Sequence, residues 1–331
     1  MIKIIILDIF RLCSLIILSV LIIMLKAQPV LSANPTKDAQ LPLEAGICVS
    51  EANTMVKKGR IHKAIVLLEN FKAKRNRVDR TTAQKRGYTH YYIDFLLGNY
   101  YLMLSRGVKP DNLQLQKKYK KEAALSYRQA VRKEPGLSPA WLNLAKCYYE
   151  LNHMTMAAKA FVKGYETSKN KNGVYLYYAS ICFAGAGDKK NALKYAVLLT
   201  KTYPLEPKWW RALSNFYLNN NNLKQGLAAL ISYGFLVPLK NEEISLAADL
   251  SLSLDIPSKA AFYYEKLLHK QVEKKTIDKI VYAYMEDCQA GKALKWINKG
   301  LALYKSDKEL LEKKAAVKAI MNFDNLSKSM E

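Results

Sequence analysis

The chain has 331 residues, is 50% hydrophobic and carries a formal net charge of +24, to which lysine contributes most. About 300 residues remain beyond the N-terminal segment, enough for one long domain with a continuous core. The sequence has no GxSxG, Walker, GxGxxG, HExxH or CxxC motif. Common hydrolase, nucleotide, zinc and thioredoxin-like sites therefore lack support.

Residues 1–33 have the pattern of a signal peptide. Basic residues precede an apolar run at 12–25, which Lys26 ends. That length suits a signal-peptide core and is short for a membrane span, and small residues offer a cleavage site ending at Ala33. The alternative is an uncleaved inner-membrane anchor spanning 4–25. In either case we expect the remaining chain to face the periplasm.

A residue pattern returns every 34 or 35 residues along most of the chain. Its best example is Trp141, Leu144, Ala145, Tyr148, Ala157 and Phe161. The first four form one helical face and the last two form a second. Equivalent sets begin at Leu176, Trp210, Ile244 and Ile277. A period of this length predicts stacked helix–turn–helix units, each too small to bury its own apolar face.

The motifs W-x2-L-A-x2-Y at 141–148, A-x3-F at 157–161 and W-x2-L-S-x2-Y at 210–217 resemble the tetratricopeptide-repeat (TPR) family. The resemblance implies an all-α, TPR-type α-solenoid of helix–turn–helix hairpins over residues 45–322, with about seven repeats. Segments near 75–87 and 106–116 lie outside the repeat phase and are read as insertions. A helix at 308–322 is read as a C-terminal cap. We also expect Trp141 and Trp210 to be buried between helices.

In TPR proteins the first helix of each unit lines a concave groove, with positions 2, 5, 9 and 12 of the repeat pointing into it. Positions are counted here with Trp141 at position 4. The resemblance thus implies peptide-groove candidates Tyr92, Phe95, Asn99, Lys146, Tyr149, Tyr177, Lys208, Arg211 and Asn215. Tyrosines offer contact area, cations hold carboxylates and Asn99 and Asn215 suit a peptide backbone. The alternative is that the tyrosines merely pack between neighbouring first helices.

Basic residues concentrate in the N-terminal half, at 57–86 and at 117–121. Three interpretations stay open: solvated helix faces, peripheral contact with anionic lipid beside a membrane, or attraction to an acidic protein partner. Nucleic acid is disfavoured because no nucleic-acid motif is present.

No catalytic, metal or cofactor site is expected. The four histidines lie far apart, in different repeats, without acidic or thiol partners at metal-ligand spacing. They are His62, His90, His153 and His269. Cys147 and Cys182 occupy one position of consecutive first helices, about 8–10 Å apart, too far for a disulfide. We interpret them as small buried apolar residues.

Residues 207–230 and 239–261 are similar to a segment of exported repeat proteins that accompany TonB–ExbB–ExbD energy-transduction systems. This resemblance covers residues 200–270 and implies a periplasmic adaptor. The leading hypothesis is a non-enzymatic periplasmic scaffold that binds a partner segment in its groove, as an accessory of a TonB-type transport system. The alternative is a basic envelope-surface protein that binds anionic lipid or polymer through its N-terminal half.

Overall fold

The computed structural model describes residues 41–268 and 273–328, with side chains described to residue 322. Those residues form sixteen α-helices and one 3₁₀ helix and contain no strand, which confirms the all-helical prediction. The predicted signal peptide or anchor at 1–33 lies outside the described residues. None of the helices in the described ranges has the length and apolar character that a membrane span requires.

The helices are α1 (Leu43–Lys57), α2 (Ile61–Ala73), α3 (Arg80–Lys85), α4 (Tyr91–Gly107), α5 (Leu113–Lys133), α6 (Ser138–Glu150), α7 (Met154–Thr167), α8 (Gly173–Gly185), α9 (Lys189–Thr202), α10 (Pro207–Asn219), α11 (Leu223–Leu236), α12 (Asn241–Ser253), α13 (Pro257–Leu267), α14 (Lys274–Glu286), α15 (Ala290–Leu303) and α16 (Lys308–Lys328).

The chain divides into two compact units, residues 1–199 and 200–331. In unit 1, α1 packs against α2, α4 against α5 and α6 against α7, while stacked rings of Phe183 and Tyr195 join α8 and α9. In unit 2, α10 packs against α11, α12 against α13 and α14 against α15, and α16 covers α15. Contacts between α7 and α8 and between α13 and α14 stack successive hairpins. This hairpin stacking confirms the TPR-type α-solenoid fold class.

The turns inside the hairpins share one backbone geometry. Position 15 has a positive φ in six hairpins, at Gly59, Asn152, Gly187, Asn221, Asp255 and Cys288. The next residue donates its N–H to the carbonyl at position 11, as His153 does to Tyr148 over 2.8 Å. This bond closes a Schellman motif, which satisfies a carbonyl at the end of the first helix. The α4–α5 hairpin is the exception and has a longer connection at 108–112.

Small residues let the two helices of a hairpin approach closely. A Cβ added to Gly98 on α4 would lie 2.6 Å from the ring of Tyr127 on α5. A Cβ on Gly226 of α11 would lie 2.5 Å from Leu218 of α10. The hydroxyl of Ser214 donates to the Gly226 carbonyl over 2.8 Å across the same contact. Larger side chains at these positions would force the helices apart.

A polar link at position 9 joins successive hairpins in each unit. In unit 1 the Asn99 amide oxygen accepts from the Tyr127 hydroxyl (2.7 Å) and from the Asn143 amide of the next hairpin (3.3 Å). All three side chains are buried. In unit 2 the Asp249 carboxylate, at position 9, accepts from the Tyr264 hydroxyl at position 24 (2.5 Å). It also accepts from the ammonium of Lys279, at position 6 of the next hairpin (2.8 Å).

A buried carboxylate ties together three helices of unit 1. Asp94 on α4 is fully buried and contacts Lys72 of α2 and Lys133 of α5, each at 2.5 Å. Lys72 also donates to Gln129 of α5. Asp94 occupies position 4, where other repeats place a large apolar residue, and a buried carboxylate needs such partners.

The prediction that Trp141 and Trp210 are buried is wrong, because both indoles are only half-buried. Position 4 lies near the start of the first helix, where the preceding hairpin ends. There each indole N–H donates to the carbonyl of a proline, Pro135 at 2.9 Å or Pro204 at 2.8 Å. The neighbouring Trp209 is the buried tryptophan.

The two segments outside the repeat phase differ in structure. Residues 74–87 contain a short 3₁₀ helix, Lys74–Arg77, followed by α3. Most of residues 106–116 are helical, because they extend α4 and α5. These two helices have 17 and 21 residues, whereas α6 and α7 have 13 and 14. The helix read as a cap extends from Lys308 to Lys328.

Removing one hydroxyl tests the polar link of unit 1. Tyr127→Phe leaves Asn99 and Asn143 buried without that partner, which should lower the free energy of unfolding by about 1–3 kcal/mol. Urea unfolding followed by circular dichroism measures the loss. Tyr148→Phe is the control, because this half-buried ring packs on His153 and its hydroxyl has no hydrogen bond to a described residue. Equal losses in the two variants would contradict a link through Tyr127.

Stability should depend on the protonation of His90, whose Nδ1 accepts the Tyr92 N–H at the start of α4. Burial and then the nearby Lys133 ammonium lower the pKa of His90, and Asp94 opposes them. The unfolded chain therefore binds the proton more tightly, so stability is present above about pH 6.5 and decreases as the pH falls below it. His90→Asn keeps an N-cap acceptor without titrating. Urea unfolding between about pH 7.5 and 5.5 should show a smaller loss for this variant, and parallel losses would contradict the assignment.

Candidate peptide-binding groove

The three groove candidates on α4 belong to the core of unit 1. Tyr92, Phe95 and Asn99 are buried, so their assignment to an open groove is wrong. The Phe95 ring lies 6.0 Å from the rings of both Tyr92 and Tyr127. The Asn99 side chain is buried and its amide oxygen already accepts hydrogen bonds in the polar link, so it does not face a peptide backbone. Helix α5 and the neighbouring helices cover this face of α4.

Lys146 on α6 is different, because it lies half-buried at position 9 and contacts no carboxylate among the described residues. Burial first, and then the Arg106 guanidinium, lowers the pKa of Lys146, while Glu150 acts in the opposite direction. Glu150 is held by Lys120, with 2.8 Å between Nζ and Oε2. Within the described part of the chain, Lys146 has neither a hydrogen bond nor an ion pair. An anionic group from outside would therefore be favoured beside Lys146.

Three half-buried tyrosines lie on the first helices α6 and α8 of unit 1. Tyr149 lies one turn beyond Lys146 on α6, and burial followed by the Cys182 thiol of α8 raises the pKa of its hydroxyl. On α8, the rings of Tyr177 and Tyr178 lie 6.2 Å apart, and Tyr178 packs 5.3 Å from Phe161. Tyr149, Tyr177 and Tyr178 are half-buried, so each has both a packing role and exposed ring surface.

The remaining three candidates belong to unit 2, where two are already paired. Lys208 is exposed, forms a 3.2 Å ion pair with Glu206 and lies 4.7 Å from the Trp209 ring centre. Arg211 Nε lies 3.0 Å from the Glu243 carboxylate on α12. Asn215, the third candidate, is half-buried. A ligand carboxylate at Arg211 would have to compete with Glu243.

Sequence patterns did not indicate the groups that make Lys146 distinctive. Arg106 belongs to the extra turn of α4, outside the ordinary repeat phase, whereas Lys120 on α5 is in phase with the repeat. Lys146 and Glu150 lie four residues apart on one helix, a spacing that allows an intrahelical pair. Lys120 takes that carboxylate instead.

The described cysteines are unpaired thiols. Cys48, Cys147 and Cys182 are buried and Cys288 is exposed. Burial raises the pKa of Cys147 to about 12, so the thiol stays protonated at neutral pH. Residues 41–268 and 273–328 contain no group of three His, Cys, Asp or Glu side chains that could hold a metal ion.

No protein-family model and no curated protein matches the chain. Among solved structures, it is similar to a chain in the structure of Naa15/Naa10 bound to HypK-THB, at 12% identity and a TM-score of 0.52. The match covers 83% of this chain and 39% of that one. A tetratricopeptide repeat protein from Parabacteroides merdae ATCC 43184 matches at 13% identity over 83% of this chain and 98% of that one, with a TM-score of 0.40. YrrB, a TPR protein with an unusual peptide-binding site, matches at 15% identity over 64% and 97%, with a TM-score of 0.40. At these identities the likeness concerns the fold.

Proposed function

We propose that this protein is a non-enzymatic interaction scaffold that binds a segment of a partner protein on the first helices of unit 1. The observation that carries the proposal is Lys146, a half-buried ammonium without a carboxylate contact among the described residues. Helical-hairpin stacks present extended binding surfaces, which suits them to this role.

The chemistry of this surface selects a segment with a carboxylate. Taking an ammonium partly out of water is costly unless an anion accompanies it. The Arg106 guanidinium adds a second positive charge near Lys146. An acidic side chain or a C-terminal carboxylate of the partner would meet both cations and form charge-assisted hydrogen bonds. Tyr149 and Tyr177 then supply apolar contact for the neighbouring partner residues.

We further propose that the protein is exported and acts in the periplasm, as an accessory of a TonB-type transport system. The apolar run at 12–25 and the small residues before Ala33 support export. The resemblance of residues 200–270 to repeat proteins that accompany TonB–ExbB–ExbD systems supports the choice of partner.

Photo-crosslinking in living cells tests the proposed surface. A benzophenone amino acid at Tyr149 or at Tyr177 should capture the same partner, and we expect a TonB–ExbB–ExbD component. The control is Lys159, exposed on the second helix α7. Equal capture of this partner at Lys159 would contradict binding by the first helices, and a different partner would contradict only the TonB assignment.

Lys146→Met tests the carboxylate contact. With a synthetic peptide of the captured segment, this variant should bind at least about 2 kcal/mol more weakly in fluorescence anisotropy. Its free energy of unfolding should be equal or higher, because the replaced ammonium has a lowered pKa and is disfavoured by burial. Lys208→Met, which removes an exposed cation of unit 2, is the matched control. Unchanged affinity in Lys146→Met would contradict the assignment of the carboxylate to this side chain.

Mass spectrometry of the mature protein tests export. We expect the periplasmic fraction to contain a protein that begins near Ala33 or Asn34. An intact Met1 in the membrane fraction would instead support the anchor, and an unprocessed protein in the cytoplasmic fraction would contradict export altogether.

A further inference from the structure

The connection between α4 and α5 forms the wall of a cleft that the repeat itself does not require. Its volume is about 500 Å³, and it lies between the start of α2, the end of α4 and the start of α5. Elsewhere a Schellman turn closes the hairpin, but here both helices extend further and the chain connects them through 108–112. The cleft is a consequence of this extension.

The floor of the cleft is apolar. It is lined by Ile61 from α2, Met103 and Leu104 from α4, Val108 from the connection and Leu115 from α5. Tyr119 closes one side, and its ring lies 6.1 Å from the His62 ring and 6.5 Å from the Tyr101 ring. A volume of this size with an apolar lining and a few polar groups matches the known range of ligand sites.

The rim and the adjoining face of α5 carry more lysines than carboxylates. Lys109 and Asp111 line the cleft, and Lys117, Lys118, Lys121 and Glu122 line a second hollow of about 290 Å³ on the next turns of α5. All four lysines are exposed. A surface of this sign attracts and orients an acidic partner.

We propose that this cleft is a second binding site of unit 1, which receives an apolar side chain from an acidic segment of a protein partner. The apolar floor accepts the anchoring side chain, and the lysines pair with carboxylates that flank it. A concave floor favours an inserted side chain over the flat headgroup plane of a membrane. The site uses α2, α4 and α5 and does not involve Lys146, so it is independent of the function proposed above.

Filling the cleft tests the proposal directly. A Cβ added to Gly107, which lines the cleft, would meet no heavy atom within 4 Å. Gly107→Trp therefore places an indole at the lining of the cleft without a clash at its Cβ, and we expect it to obstruct the cleft. Gly46→Trp on α1 is the matched control, because a Cβ there also meets nothing within 4 Å. Lys118→Glu with Lys121→Glu reverses the charge beside the cleft.

The probe is a panel of short fluorescent peptides with a central Leu, Ile, Phe or Trp flanked by Glu or by Lys. We expect saturable binding of glutamate-flanked peptides, weakened at least about tenfold by Gly107→Trp and by the charge reversal. The Gly46→Trp variant should bind these peptides like the wild type.

Three results would overturn the proposal. They are no saturable binding up to about 1 mM peptide, binding that survives Gly107→Trp but not the charge reversal, and equal binding of lysine-flanked peptides. A parallel measurement uses vesicles containing phosphatidylserine. Vesicle binding that Gly107→Trp abolishes, without any peptide binding, would assign the cleft to a lipid surface instead.

Discussion

The close contact between the two helices of each hairpin is the constraint on which the rest of this protein depends. A methyl group does not fit between Gly98 and Tyr127 in unit 1, or between Gly226 and Leu218 in unit 2. Helices packed this closely have fixed relative rotation, because the side chains interlock at native density. The faces that remain on the first helix then either contact the next hairpin or meet solvent. Position 9 lies at the boundary between these two uses.

The residue at position 9 determines whether this part of the first helix bonds to the next hairpin or stays available to solvent. Asn99 and Asp249 accept hydrogen bonds from a tyrosine of their own hairpin and from the following first helix, and so contribute to stacking. Lys146 is a cation and cannot accept, so it cannot form this link. The same geometry thus yields a structural contact in one hairpin and, in another, the cation that we propose as a binding group.

The repeat period was sufficient to predict the fold, because the spacing of apolar and small residues encodes both helices and their contact. The turn at Asn152 was predictable for the same reason, since Asn tolerates the left-handed conformation. The burial of the predicted groove residues could not be predicted from the repeat period. Phe95 and Asn99 occupy groove positions in phase with the repeat, yet both are buried, Phe95 beside the Tyr127 ring and Asn99 within the polar link.

Tertiary contacts outside the repeat also decide the properties of the candidate site. Trp141 follows the family pattern, but its exposure depends on where the previous hairpin ends at Pro135. Arg106 reaches the neighbourhood of Lys146 because α4 is longer than the period allows. Arg106 lies out of phase and carries no periodic signal, so sequence spacing alone could not place it beside Lys146.

The titration of Lys146 tests the central claim most directly. Reductive ¹³C-methylation of lysines, with Lys146→Arg to assign the signal, allows its pKa to be followed by NMR. In the free protein the account predicts a pKa below the usual value of about 10.4, and an increase when a carboxylate-bearing partner segment binds. A pKa at or above the usual value in the free protein would mean that the ammonium is fully solvated or already paired. That result would contradict the claim that this surface binds an acidic ligand.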